Sequence, residues 1–302
     1  MRIAVLYHSL NGQKHCDDGF GSYWVARRSL GDGADYYPVQ HGQPHPLTLS
    51  DYDHVYIIDF CYARATLLEM AEGLSDGLTI LDHHITARDD VEGLDDHPKI
   101  NLKFDMDHSG AMLAWMHFFH DYMLPPPGIQ YIEDNDLWLF NHPETKSYIR
   151  ALRAYEQDFD VWTDILTNRE TIERMVSLEG PILEANFNKS VKEHVDTCTW
   201  GIIGGMKVPM SSCSPEYVSD VCMELTNKYP EAKFSAAYVV YGNMVKLSFR
   251  SNRDLSNFNV GTVASIFGGG GHRNASGCQI NLSQLQVMHD LAPFFEGAYP
   301  DT

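Results

Sequence analysis

The stretch "ILDHHITA" (residues 80–87) ends an apolar run in an aspartate and two histidines, Asp82, His83 and His84. Three adjacent groups that bind metals and carry protons are costly to bury unless something uses them. His8 closes "RIAVLYH" and Asp59 closes "DHVYIIDF". The loop after His8 holds "HCDDG", with His15, Cys16, Asp17 and Asp18, and "EDNDLW" adds Glu133, Asp134 and Asp136. Mixed imidazole and carboxylate donors suit manganese, iron or zinc better than a purely oxygen-seeking ion. A carboxylate can bridge two such ions, and a two-metal site can activate water while clamping a phosphate.

Each residue also has a plainer reading. An aspartate at the carboxyl end of a strand often caps the next helix. His8 alone reads as a packed or hydrogen-bonded histidine, and Asp17 as a solvated loop or cap residue. His41, His45, His54, His117 and His120 show no partner pattern. Cys61, Cys198, Cys213, Cys222 and Cys278 are most simply small hydrophobes. The plain reading does not cover Asp-His-His directly after "LTIL".

These groups need elements to position them. "RIAVLYH" (2–8), "DHVYIIDF" (53–60) and "GLTILDHH" (77–84) read as short apolar strands. Helical spacing falls at 20–30, 65–74 and 108–123. Such alternation predicts an α/β fold with a parallel sheet covered on both faces. Ligands then bind at the carboxyl ends of the strands, where His8, Asp59 and Asp82–His84 all fall. "PPPG" (125–128) breaks the chain, and "IQYIEDNDLW" (129–138) reads as a short strand entering an acidic turn. Residues 144–196 read as a mostly helical, polar connector. A second unit starts near Thr199, with a strand pair in "WGIIGGMKVPM", a helix in "PEYVSDVCMELTNKYP" and a hairpin turning at Gly242–Asn243. "NVGTVASIFGGGGHRNASG" reads as a helix running into a glycine loop, followed by a strand near 277–281 and a helix near 283–295.

The four glycines Gly268, Gly269, Gly270 and Gly271 allow close backbone approach and positive φ. Their amides could form an anion-binding nest. His272 and Arg273 add side-chain donors, and arginine suits bidentate contact with phosphate. Arg250, in "LSFRSN" (247–252), is a second cation. The plain readings are a flexible linker and an exposed strand arginine.

"LDHHITA" resembles the signature of the DHH phosphoesterases, and "FGGGGHRNASG" (267–277) resembles the glycine-rich signature of their associated substrate domain. The resemblance covers essentially the whole chain. It implies an N-terminal metal-binding catalytic domain over 1–165, a helical linker over 166–197 and a smaller C-terminal α/β substrate domain over 198–302, facing each other across a cleft. It also implies a two-ion manganese centre that hydrolyses phosphoesters, with magnesium, cobalt or iron as alternatives. Carried over, Asp59 matches a bridging ligand and His83 a metal ligand. His84 matches the histidine that hydrogen-bonds the phosphate, with Asp82 orienting the pair. Asp136 matches the last metal aspartate, with Asp134 as competitor. Arg250 matches an arginine that faces the cleft. The first motif departs from the pattern: Asp18 matches its second aspartate, but Cys16 stands where the first belongs, and either His8 or His15 supplies the histidine. A thiolate changes the softness and charge of one ion site.

Composition narrows the substrate. The 302 residues carry 41 acidic and 22 basic side chains, a net charge of −19. That surface disfavours duplex DNA and long strands, which bind mainly through Lys and Arg. No basic stretch interleaved with aromatics suggests a polymer track. Tyr23, Trp24 and Trp138 lie near the motifs and could stack a base, core packing being the plainer reading. No apolar run is long enough to span a membrane. The opening "MRIAVLYHSL" reads as a strand and not a signal peptide. Six cysteines without CxxC spacing read as free thiols in a reducing cytoplasm. The expectation is a metal-dependent phosphodiesterase that cuts short single-stranded oligonucleotides or dinucleotides to 5′-mononucleotides. A homodimer is compatible with the sequence. The alternatives are an exonuclease on longer single strands and a nucleotide- or metal-binding sensor with little turnover.

Overall fold

A computed structural model describes residues 1–10, 16–40, 42–119, 123–252, 256 and 258–284. The chain begins with β1 (Ile3–His8), α1 (Asp17–Leu30), β2 (Ala34–Val39), β3 (His54–Ile58), α2 (Arg64–Gly73), β4 (Gly77–Asp82), α3 (Arg88–Val91), β5 (Ile100–Phe104) and α4 (Gly110–Phe119). The helices α5 (Pro127–Asp136), α6 (Thr145–Leu152), α7 (Phe159–Thr167), α8 (Arg169–Arg174) and α9 (Gly180–Asp196) follow. The five strands form one parallel sheet in the order β2-β1-β3-β4-β5.

Side chains alternate across this sheet with the period of two that a strand imposes. Val5, Tyr7, Ile58 and Leu81 enter one core with Phe20 and Trp24 of α1 and Ala111, Leu113 and Ala114 of α4. Ala4, Leu6, Ile57 and Ile80 enter the other with Leu67 and Met70 of α2. Both faces are covered, so the central strands are apolar throughout. Tyr23 and Trp24 belong to the core, and Trp24 Nε1 donates to Thr163 Oγ1 at 2.9 Å.

Two compact units divide the chain, Met1–Glu184 and Ala185–Thr302. Within the first, Tyr148 of α6 and Trp162, Ile165 and Leu166 of α7 are fully buried in the same core as α1 and α4. The second holds β6 (Thr199–Ile203), β7 (Met206–Ser212), α10 (Val218–Lys228), β8 (Ser235–Tyr241), β9 (Met244–Arg250), α11 (Val260–Ile266), β10 (Gly270–His272) and β11 (Ala275–Asn281). Its sheet runs β10-β11-β9-β8-β7-β6 and is antiparallel except for the parallel pair β7–β8. Val208, Phe234, Leu247, Phe249 and Val263 form its core. The expected hairpin around Gly242–Asn243 is β8–β9.

Two expectations need correction. Residues 127–136 form a helix, not a strand. Pro127 sits at its first turn, where a missing N–H costs nothing, and Ile129 and Ile132 are buried one helical turn apart. The glycine run is not a loop throughout: Gly270–His272 pairs with Ala275–Gly277 as a strand. The helix expected near 283–295 falls mostly outside the described residues, as do His15, His41 and His120 and the side chain of His272. Among the described residues, no helix is long and apolar enough to cross a membrane.

Candidate metal centre

The sheet order places β1 and β3 side by side where the direction of winding reverses, the place where such sheets bind ligands. His8 is the last residue of β1, Asp59 follows β3 and Asp82 ends β4. Asp59 is buried and has φ of +66°, a left-handed conformation that non-glycine residues rarely hold and that marks functional sites. That turn aims its carboxylate at three neighbours. His83 Nε2 lies 3.2 Å from Oδ1. His8 Nδ1 lies 3.4 Å from Oδ2, and the Cys16 thiol donates to Oδ2 at 3.2 Å.

His83 Nε2 is the hub. It lies 3.8 Å from Asp18 Oδ2 and 3.6 Å from Asp136 Oδ2. Donor atoms of His8, Cys16 and Asp59 lie within 4.8 Å of one another, as do those of Asp59, His83 and His84, and those of Asp18, His83 and Asp136. The geometry thus brings His8, Cys16, Asp18, Asp59, His83 and Asp136 together from separate segments of the first unit.

Helix ends position several of these groups. Cys16 caps α1, its sulfur accepting from Gly19 N at 2.9 Å. Asp18 accepts from Gly110 N at 2.6 Å and Ala111 N at 2.9 Å, satisfying the open first turn of α4. A Cβ on Gly110 would stand 2.5 Å from Asp59 Cβ and 2.9 Å from Asp18 Oδ2. Only glycine fits there. The sequence marks "HSGAM" as a helix start but does not disclose this close approach. The small residues ahead of an apolar helix are the available signal.

The electrostatics are those of buried acids crowded together, with imidazoles as their neighbours. Burial raises Asp59, but the hydrogen bonds of His8 and His83 outweigh it and hold its carboxyl well below the usual range. Burial, then the charges of Asp59 and Asp136, push Asp18 well above that range. Desolvation and the Asp59 charge bring Asp136 to about 6. Burial and the Asp59 and Asp18 charges raise the Cys16 thiol well above its ordinary value. A divalent cation resolves these conflicts at once, and the mixed N, O and S donors are those of a transition metal. The residues present fit such an ion.

His84 differs in role. Asp82 is fully buried and its Oδ1 accepts from His83 N at 2.8 Å, His84 N at 3.3 Å and His84 Nδ1 at 2.8 Å. With Nδ1 committed, Nε2 is left for a ligand. Burial lowers the His84 pKa, but the Asp82 hydrogen bond and the Asp59 charge raise it to about 9, so the ring is a cation at neutral pH.

Asp134 and Asp136 separate by geometry. Asp134 is buried and accepts from Asn141 N at 2.7 Å, His142 N at 3.2 Å and the Thr145 hydroxyl. Both its oxygens are spent on the loop after α5. Asp136 ends that helix and reaches the cluster. Glu133 instead meets His108 Nδ1 at 2.8 Å, and Asp17 pairs with Arg153 at 2.7 Å.

In the second unit, Gly268 and Gly269 donate their amides to Ser265 and Ala264 carbonyls at 3.1 and 2.9 Å, closing the end of α11. Those two amides are therefore not aimed at an anion. A Cβ on Gly269 would stand 2.2 Å from the Gly277 carbonyl oxygen, so close packing against β11 demands glycine. Arg273 is exposed beside this hairpin. Arg250 is half-buried, donating to the Phe249 carbonyl at 3.0 Å and Ser219 Oγ at 3.1 Å. Among the described residues no carboxylate pairs with it.

This arrangement has the fold of DHH proteins. A solved DHH domain, from a protein described as a member of a family of ribosomal proteins, matches 96% of this chain and 85% of its own at 11% identity, with a TM-score of 0.62. A pGpG-specific phosphodiesterase, PggH from Vibrio cholerae, matches 98% of this chain and 99% of its own at 15% identity, with a TM-score of 0.51. Exonuclease RecJ bound to manganese matches 99% and 91% at 15% identity, with a TM-score of 0.50. In sequence, the chain is 30% identical over 294 residues to the uncharacterized protein R106 of Acanthamoeba polyphaga mimivirus, covering 91% of this chain and 66% of that relative's length. No protein-family model matches the chain.

Proposed function

We propose that the protein is a metal-dependent phosphodiesterase that hydrolyses short single-stranded oligonucleotides or dinucleotides to 5′-mononucleotides. The observation that carries this reading is the convergence of nitrogen, oxygen and sulfur donors on His83 and Asp59, with the cationic His84 beside them. His8, Cys16, Asp18, Asp59, His83 and Asp136 would hold the metal, manganese before magnesium, cobalt or iron. A divalent ion bound there supplies Lewis acidity toward a phosphoryl oxygen and a water of lowered pKa. His84 Nε2 donates to a phosphate oxygen, and its charge offsets the negative charge that grows on that group. Asp82 keeps the ring charged and in the orientation that this needs. Asp59 keeps its charge throughout and orders His8 and His83. We propose Arg250 and Arg273 of the second unit as substrate-binding cations. The fold shared with PggH and RecJ supports a nucleotide-containing phosphodiester.

The test is product analysis. Incubated with manganese and a linear diribonucleotide, the protein should release mononucleotides. Across a ladder of two to twenty nucleotides the rate should fall with length. Rates that rise with length would identify a long-strand exonuclease instead. Tight binding without product across manganese, cobalt, iron and zinc would identify a sensor.

A further inference from the structure

Two residues beyond Asp136, the backbone does something costly. Trp138 has φ of +55° and Phe140 φ of +49°. Bulky residues in this region are costly and persist only where their surroundings enforce them. Here Asp134 is the enforcer. Its carbonyl accepts from Leu139 N at 3.0 Å, and its carboxylate takes the amides of Asn141 and His142. The strain does not bury the aromatics: Trp138 is 55% exposed and Leu139 52%. Trp138 meets Phe140 edge-on, centroids 5.4 Å apart at 86°, so a face of the indole remains open. Lys146 Nζ stands 5.0 Å over Phe140.

We infer that Trp138 is a stacking platform for a nucleobase whose phosphate occupies the metal centre. Successive Cα atoms lie about 3.8 Å apart, so Trp138 Cα is within about 8 Å of Asp136 Cα, the reach of one nucleotide. A strained, open indole two residues from Asp136 suits a base-bearing phosphoester and gives a base-free polyphosphate nothing to stack. This deepens the proposed phosphodiesterase reading and rests on it for the position of the phosphate.

The probe pair is AMP and ribose 5-phosphate, which differ only in the base and are not diesters. With magnesium present, AMP should bind the wild-type protein at least about tenfold more tightly, within the ~5- to ~150-fold range of one base–aromatic stack. AMP should also quench tryptophan emission, and Trp138→Phe should remove most of the quenching while keeping the preference. Trp138→Ala and Trp138→Gly, the latter free of the positive-φ strain, should compress the preference to about threefold or less. Thermal melting checks that the variants fold. A preference unchanged in both variants, equal losses for both probes, or no preference in the wild type would overturn the platform. Failure of the phosphodiesterase reading is separate: no dinucleotide would be cleaved, whatever AMP does at Trp138.

Discussion

Asp59 holds a left-handed backbone that asparagine tolerates and branched residues do not. Asp59→Asn should therefore keep the fold while removing the charge that His8, His83 and Cys16 face. Titration calorimetry with manganese should show affinity lower by at least about 100-fold, beyond the loss seen for outer-shell changes. Near-normal affinity would mean that Asp59 is not a ligand. Cys16 makes a different prediction. A thiolate favours softer ions, so Cys16→Asp should shift the preference from zinc toward manganese by about tenfold. Competition between the two metals measures it, and an unchanged ratio would leave Cys16 as a helix cap only. At this scale much is legible in the sequence. His83 and His84 at a strand end, Asp18 and Asp136 all fall at the cluster, with Asp82 bonded to His84 behind it. Asp134 is not separable from Asp136 by composition, because the difference lies in backbone amides that a later loop supplies.

Among the elements, the start of α4 matters most. It lies against the site because Gly110 has no side chain. Gly110→Ala should destabilise the protein by about 1–3 kcal/mol through overpacking and weaken metal binding as well. Chemical denaturation with and without manganese separates the two effects; a neutral outcome in both would contradict the packing argument. The central strands are readable because both their faces are buried, leaving unbroken apolar runs. β2 and β5 are not, since they lie at the sheet edges and carry Asp35, Tyr36, Tyr37, Pro38 and Lys103. α5 reads wrongly as a strand because its buried apolar face is only Ile129 and Ile132 amid polar residues. The glycine run suggests conformational freedom, whereas two of its members are required by strand packing and the end of α11.

For the molecule as a whole, the proposed reading makes a bound cation the means by which a chain of net charge −19 would accept an anionic substrate. Removing metal should cost stability as well as activity, because the proposed site is assembled only in the folded state. At a hundredfold excess over its dissociation constant that linkage amounts to about 2.7 kcal/mol, read as a drop in melting temperature on adding chelator. Anomalous diffraction from crystals grown with manganese tests the central claim most directly. Density bounded by Asp59 and His83, with donors from Asp18, Asp136, His8 or Cys16, is the predicted result. Manganese sited elsewhere, with these side chains turned away from one another, would contradict the account.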